Sequence, residues 1–320
     1  MFEAFSPLTG APLLAVDLGS ETGWPDELAL AVAREALAEL PCPSVALAEE
    51  LLAPAAEALV AEFDLVVSTR GDLERVAEAV RARPLASQAL AQLLRLSSGR
   101  PVHDGLVAES LVYATLQAGP EFATWLAARP PSKSRARPAG PAVRVERAGS
   151  RLELWLNRPE KRNAFSAEMR DALCEALMVA VMDPGVESVR LLGEGPAFCS
   201  GGDLDEFGTL SDPSTAHAIR STRHPARWLH VLETRVVCVV HGACVGAGIE
   251  LPAFASRVVA RPDASFRLPE LSMGLVPGAG GTVSLPRRIG RQRTAWLAFT
   301  GAPIDAETAL AWRLVDAIEP

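Results

Sequence analysis

The chain has 320 residues, 49% of them hydrophobic and 22% charged, with 31 Lys and Arg against 39 Asp and Glu and a net charge of −8. That length predicts about two domains with ample apolar mass for a packed core, and the acidic balance excludes a broad nucleic-acid surface while leaving room for a local basic groove. No apolar run reaches the ~18 residues of a membrane span, residues 1–4 lack a secretory n-region, and five cysteines without CxxC spacing give no disulfide framework. The expectation is a soluble, cytoplasmic globular protein without nucleic-acid or membrane partners.

In the N-terminal region, residues 13–18, 44–48 and 65–67 read as short buried strands, with helices over 25–40 and 54–63 between them. Helical segments follow over 72–83, 86–96, 105–117 and 120–128, with Asp72 as the N-cap of the first. No nucleophile–base constellation or metal spacing appears here, and His103 and Tyr113 read as ordinary packing or surface residues. The stretch 130–141 contains four prolines, so it reads as a linker. It separates an N-terminal extension, 1–137, from a C-terminal core, 141–320.

The C-terminal region alternates more regularly. Residues 151–157 have the period of a half-buried strand, Ser166 caps a helix reaching residue 180, and 186–192 is a strand. A helix begins at Asp203, with Glu206 in capping-box spacing, and a long helix covers 215–234. Strand 235–240 is nearly all apolar and expected to be buried on both faces. A small-residue turn then opens a helix over 248–255. Repetition of strand and helix indicates an α/β domain.

Three segments carry chemistry. In PAFCSGGDL (196–204), two glycines after a strand can leave peptide N–H groups free as donors, or simply form a strand-to-helix turn. In HGACVGAGIEL (241–251), a helix start offers N–H groups and a partial positive charge to a developing oxyanion. Glu250 follows Ala247 by three residues, a carboxylate on an apolar helix that is either solvated or employed. In FRLPELSMGLVPGAGGT (266–282), apolar surroundings should raise the proton affinity of Glu270 and suit it to proton transfer. The glycine run lacks the Lys-Ser/Thr ending of a phosphate loop.

Together with RPEKRNAF (158–165) and the stretch 291–315, these segments resemble, over roughly 142–320, the crotonase (enoyl-CoA hydratase/isomerase) superfamily. The resemblance implies an α/β fold, a crotonase-like spiral of repeated ββα units, here with an N-terminal α/β-to-helical extension. It implies that the N–H groups of Gly202 and Ala247 form an oxyanion hole for a thioester. It further implies that coenzyme A, present as part of an acyl-CoA substrate, is contacted by Arg162, Ala164, Ser200, Gly201, Asp203 and Leu204. No tightly bound cofactor and no metal are expected. Hydratases of this family use two glutamates, which here would be Glu250 to activate water and Glu270 to protonate the α-carbon.

The implied protein is a lyase of fatty-acid or secondary metabolism and a homo-oligomer, trimeric or hexameric. The alternatives are other enolate chemistry (double-bond isomerase, thioester hydrolase, cofactor-independent oxygenase) or a non-catalytic acyl-CoA-binding partner subunit. Ala247 and Arg313 stand where the family usually has glycine. Residues 83–130 resemble the helical tail that relatives carry behind the core, and are expected either to supply that cover from in front or to be an unrelated extension. Cys199 and Cys244 read as buried filler, and His241 as a strand-end residue near the site. His217, Arg220, Arg223, His224 and Arg227 read as a solvated helix face, with contact to a polar acyl chain as the other reading.

Overall fold

A computed structural model describes residues 2–19, 26–49, 52, 54–130, 140–209 and 212–320. The expected linker falls largely on 131–139, outside the described residues. In chain order the N-terminal part runs β1 (Leu14–Asp17), α1 (Glu27–Glu39), β2 (Ser44–Leu47), α2 (Pro54–Val60) and β3 (Leu65–Val67). Four helices follow, α3 (Arg70–Ala82), α4 (Pro84–Ser97), α5 (Val102–Gln117) and α6 (Pro120–Ala127). Strands β1–β3 form a parallel sheet in sequence order. All four residues of β2 are buried, as a parallel strand covered on both faces requires. Ala46 packs with Leu30, Leu37, Leu59 and Phe63, while Val45 and Leu47 face the main core.

Asp64, 1% exposed, ties this unit to the rest. Its carboxylate accepts from the Ser44 amide at 2.9 Å and from Arg95 of α4 at 2.5 Å. It also accepts from Arg291 at 2.8 Å.

The C-terminal part continues with β4 (Val143–Ala148), β5 (Arg151–Leu156), α7 (Ala167–Met182), β6 (Ser188–Gly193), α8 (Pro213–Thr222) and α9 (Pro225–Val231). Then come β7 (Val236–Val240), β8 (Ala243–Val245), α10 (Ala247–Glu250), β9 (Arg257–Ala260) and β10 (Ser265–Arg267). The last elements are α11 (Gly281–Ile289), α12 (Arg291–Thr300), β11 (Ile304–Asp305), α13 (Ala306–Ala311) and β12 (Ala317–Ile318). A six-stranded sheet has the order β12-β9-β7-β6-β5-β4, parallel except for the β4–β5 pair. A smaller sheet, β11-β10-β8, lies beside the site. One continuous buried core reaches from Val45 to Val315.

Several elements differ from their sequence reading for identifiable reasons. The long helix over 215–234 is broken between α8 and α9, because Pro225 has no N–H to donate and disfavours a helical His224. The helix expected over 248–255 is the single turn α10, after which Pro252 opens a 3₁₀ turn. Asp203 caps only a 3₁₀ turn, Leu204–Glu206, and Glu206 reaches away to accept from the Ala167 amide of α7 at 2.8 Å. The cap of α3 is Thr69, whose hydroxyl oxygen accepts from the Asp72 amide. In β7 only Val236, Cys238 and Val240 are fully buried; Val237 and Val239 are partly exposed.

Candidate active site

The site forms where β8 runs into α10. Gly246 makes the corner with φ 51° and ψ −117°, a conformation that L side chains avoid. It also lets Glu270 approach, since a Cβ there would lie 2.4 Å from Glu270 Oε1. Ala247 begins α10, and Glu250, one turn on and 2% exposed, points inward. Glu270 opens the 3₁₀ turn Glu270–Met273 after Pro269. Gly202, Asp203, Ala247, Glu250 and Glu270 all line one pocket. Among the described residues, no protein acceptor meets the N–H of Gly202 or of Ala247.

The Gly202 side of the pocket is held by backbone pairing with the 158–165 loop. Phe165 N donates to Gly201 O at 2.7 Å, Asp203 N to Phe165 O at 3.0 Å, and Ser200 N to Arg162 O at 3.0 Å. Arg162 and Asn163 are left-handed, with φ 52° and 54°. The buried Asn163 stabilises that turn by donating to Glu194 O and Ala197 O and accepting from Arg158 N. Asp203 is ion-paired with Lys161 at 2.9 Å and Arg158 at 3.3 Å, so its side chain is engaged inside the protein. Arg162 is exposed, Ala164 is buried, and Leu204 O accepts from Arg129 at 2.7 Å. Arg162, Ala164, Ser200, Gly201 and Leu204 lie along the loops beside the pocket and outside its lining.

Two carboxylates straddle the chain entering α11. Glu250 Oε2 accepts from Ala279 N at 2.7 Å and Gly281 N at 2.9 Å. Glu109, from α5, takes the alternate positions: Gly280 N at 2.7 Å, Thr282 N at 3.0 Å and the Thr282 hydroxyl at 2.6 Å. Burial pushes the Glu250 carboxyl well above the ordinary range, reinforced by the charges of Glu270 and Glu109, while its two N–H donors pull the other way. Burial also lifts Glu270 to about 7, with Glu109 adding to it. Both carboxyls are thus held above the ordinary range; the two N–H donors on Glu250 work against that in favour of its charged form, while Glu270 Oε2 is enclosed with no partner among the described residues.

Glu109 and Tyr113 of α5 were invisible as site residues in the sequence. Both lie on one stripe with Val102, Leu106 and Leu116, all of them buried. A carboxylate on such an apolar stripe is the signal that could have found Glu109. Tyr113, read as an ordinary packing or surface residue, lines the pocket, and the Arg220 guanidinium lies 3.9 Å from its ring centroid.

Arg220, Arg223 and His224 also line the pocket; Arg220 and His224 are partly buried there, which corrects the solvated-face reading for these two, while Arg223 stays exposed and pairs with Glu175 at 3.2 Å. Burial holds the His224 imidazole neutral, with its pKa at about 3. Arg227 is exposed, and His217 Nδ1 lies 2.9 Å from Ser110 Oγ. Cys199 and Cys244 are buried, the Cys199 thiol pushed up to about 12. His241 Nε2 lies 2.9 Å from Gly195 O. Among the described residues no cluster of His, Cys, Asp and Glu could hold a metal ion.

A family model described as enoyl-CoA hydratase/isomerase matches residues 146–320, more than half of the chain. The protein belongs to that family, and its α/β spiral is the crotonase fold. It is similar to an enoyl-CoA isomerase/hydratase of Mycosarcoma maydis, 32% identical over 176 residues, 52% of this chain and 64% of that one. It is likewise similar to the 1,2-epoxyphenylacetyl-CoA isomerase of Escherichia coli, 35% identical over 168 residues, 51% and 64% of the two chains. The chain thus spans less than two thirds of either relative. The solved enoyl-CoA hydratase of Thermoplasma volcanium superposes with a TM-score of 0.53 at 32% identity, covering 56% of this chain and 72% of that one.

Proposed function

We propose that the protein adds water across the double bond of an α,β-unsaturated acyl-CoA thioester, or removes it in reverse. The observation that carries this reading is the pair Glu250 and Glu270 in one pocket with Gly202 and Ala247. Ionised Glu250 takes a proton from water as the oxygen bonds to the β-carbon. The displaced electron pair moves to the thioester oxygen, where the Gly202 and Ala247 N–H groups hold the enolate, each such donor being worth about 3 kcal/mol. Protonated Glu270 then delivers its proton to the α-carbon, and the thioester carbonyl is restored. Arg162 and the backbone of 200–204 are assigned to coenzyme A.

Relatives named as hydratases and as isomerases both match this chain. Isomerases of the family typically keep only the second glutamate, so retention of both favours hydration. The proposal extends to residues 83–130 as cover for the acyl pocket, because Tyr113 and Gln117 of α5 line it. A homo-oligomer working in the cytoplasm completes the reading. The test is loss of conjugated-enoyl absorbance on a panel of short acyl-CoA thioesters with wild type, Glu250→Gln and Glu270→Gln. Hydration by the wild type, abolished by either change, is the expected result. Binding of the thioesters without hydration would overturn it.

A further inference from the structure

We infer that Glu109, contributed by the N-terminal extension, is a positioning residue of the catalytic pair: with Glu250 it grips residues 279–282 by alternate N–H groups, and so sets both the orientation of Glu250 and the proton affinity of the two glutamates. This rests on the proposed roles of Glu250 and Glu270. Ala279 and Gly281 donate to Glu250, and Gly280 and Thr282 to Glu109, so four consecutive amides are divided between two carboxylates 141 residues apart in the chain. Neither carboxylate can turn without giving up N–H bonds to the segment that also holds the other. Glu109 is 1% exposed, so its charge acts through little screening.

Of the charged groups on the elements packed against α5, Arg220 acts on Glu109; Glu121, Arg95, Arg287 and Arg288 have partners elsewhere, and His224 carries no charge. From α8, Arg220 lies across Tyr113 and donates to Gly278 O at 2.6 Å, and His217 meets Ser110. His224, capping α9, is neutral. Glu121 of α6 accepts from the amides of Leu85 and Ala86, and Arg95 of α4 is bound to Asp64. On α11, Arg287 donates to Val283 O and Arg288 to Leu314 O.

The test reads the carboxyl groups directly, by carbon-13 NMR titration of the Glu-labelled protein, with signals assigned through Glu109→Gln, Glu250→Gln and Glu270→Gln. In Glu109→Gln, both Glu250 and Glu270 should titrate at least one pH unit lower than in wild type. Titration of both at their wild-type pH in a folded Glu109→Gln protein would overturn the inference. Should that variant fail to fold, Thr282→Val keeps both carboxyls and deletes one donor to Glu109. It should raise the Glu109 midpoint and lower that of Glu250, and an unmoved Glu250 would refute the coupling. Because the readout needs no turnover, failure of the hydration assay and failure of this inference are separate outcomes. Where hydration is present, Glu109→Gln should shift the pH–kcat profile to lower pH with KM changed less than threefold.

Discussion

Gly281→Ala places a methyl group against the proposed base. A Cβ at residue 281 would lie 2.5 Å from Glu250 Cγ and 2.7 Å from its Oε2, closer than packed atoms tolerate, so the carboxylate must turn away. Turning gives up at least one of its N–H bonds, from Ala279 at 2.7 Å or Gly281 at 2.9 Å. A hydrogen bond to a charged group contributes about 2 kcal/mol, which corresponds to roughly a thirtyfold fall in kcat. Overpacking should also lower stability by about 1–3 kcal/mol. The assay is hydration of a short enoyl-CoA, with α-proton exchange in heavy water as a second readout and a thermal melt to count folded protein. A Gly281→Ala enzyme turning over at the wild-type rate would refute the assignment of those two N–H bonds to the working state of Glu250.

Gly246→Ala should be more damaging, because it combines a left-handed φ of 51° with a contact 2.4 Å from Glu270 Oε1; loss of about 1–3 kcal/mol in urea melts, together with lost activity, is expected. Asp64→Ala should cost about 3–5 kcal/mol by the same melts, since it strands Arg95 and Arg291, whose side chains are 12% and 20% exposed. Stability should fall as pH rises: burial raises Glu109 and Glu270 from 4.5 to about 7 in the folded protein. Their contribution is then full below about pH 4.5 and lost as pH climbs through 7. Urea midpoints at pH 5.5, 7 and 8 should decline in that order and decline less in Glu270→Gln; a rise across this window would contradict the buried-carboxyl assignment.

What the sequence disclosed and what it withheld divide along physical lines. The segments carrying Glu250, Glu270, Gly202 and Ala247, which meet in one pocket, were legible from their glycine turns, helix start and apolar surroundings, while the choice of Gly202 and Ala247 within them came from the family resemblance. Strands β2, β3 and β5 were legible from their apolar run or alternation. Strands β8, β10, β11 and β12, of two or three residues, are too short to show a period. The breaks at Pro225 and Pro252 were present as signals but were outweighed by the helical period on either side. Glu109 was hidden for another reason: its place on the apolar stripe of α5 marks a buried carboxylate, but its partners are at residues 280 and 282, and nothing local says which distant segment it binds.

Phosphate-binding proteins often offer a nucleotide a run of backbone amides; residues 279–282 present such a run, divided alternately between the two sides of the chain. Here all four are already committed to Glu250 and Glu109. The glycine run is therefore an anion receptor whose anions belong to the protein itself. An external phosphate would have to displace two tethered carboxylates, so inorganic phosphate or sulfate should not compete there, and this loop is closed to the phosphate chemistry that its glycines would otherwise invite.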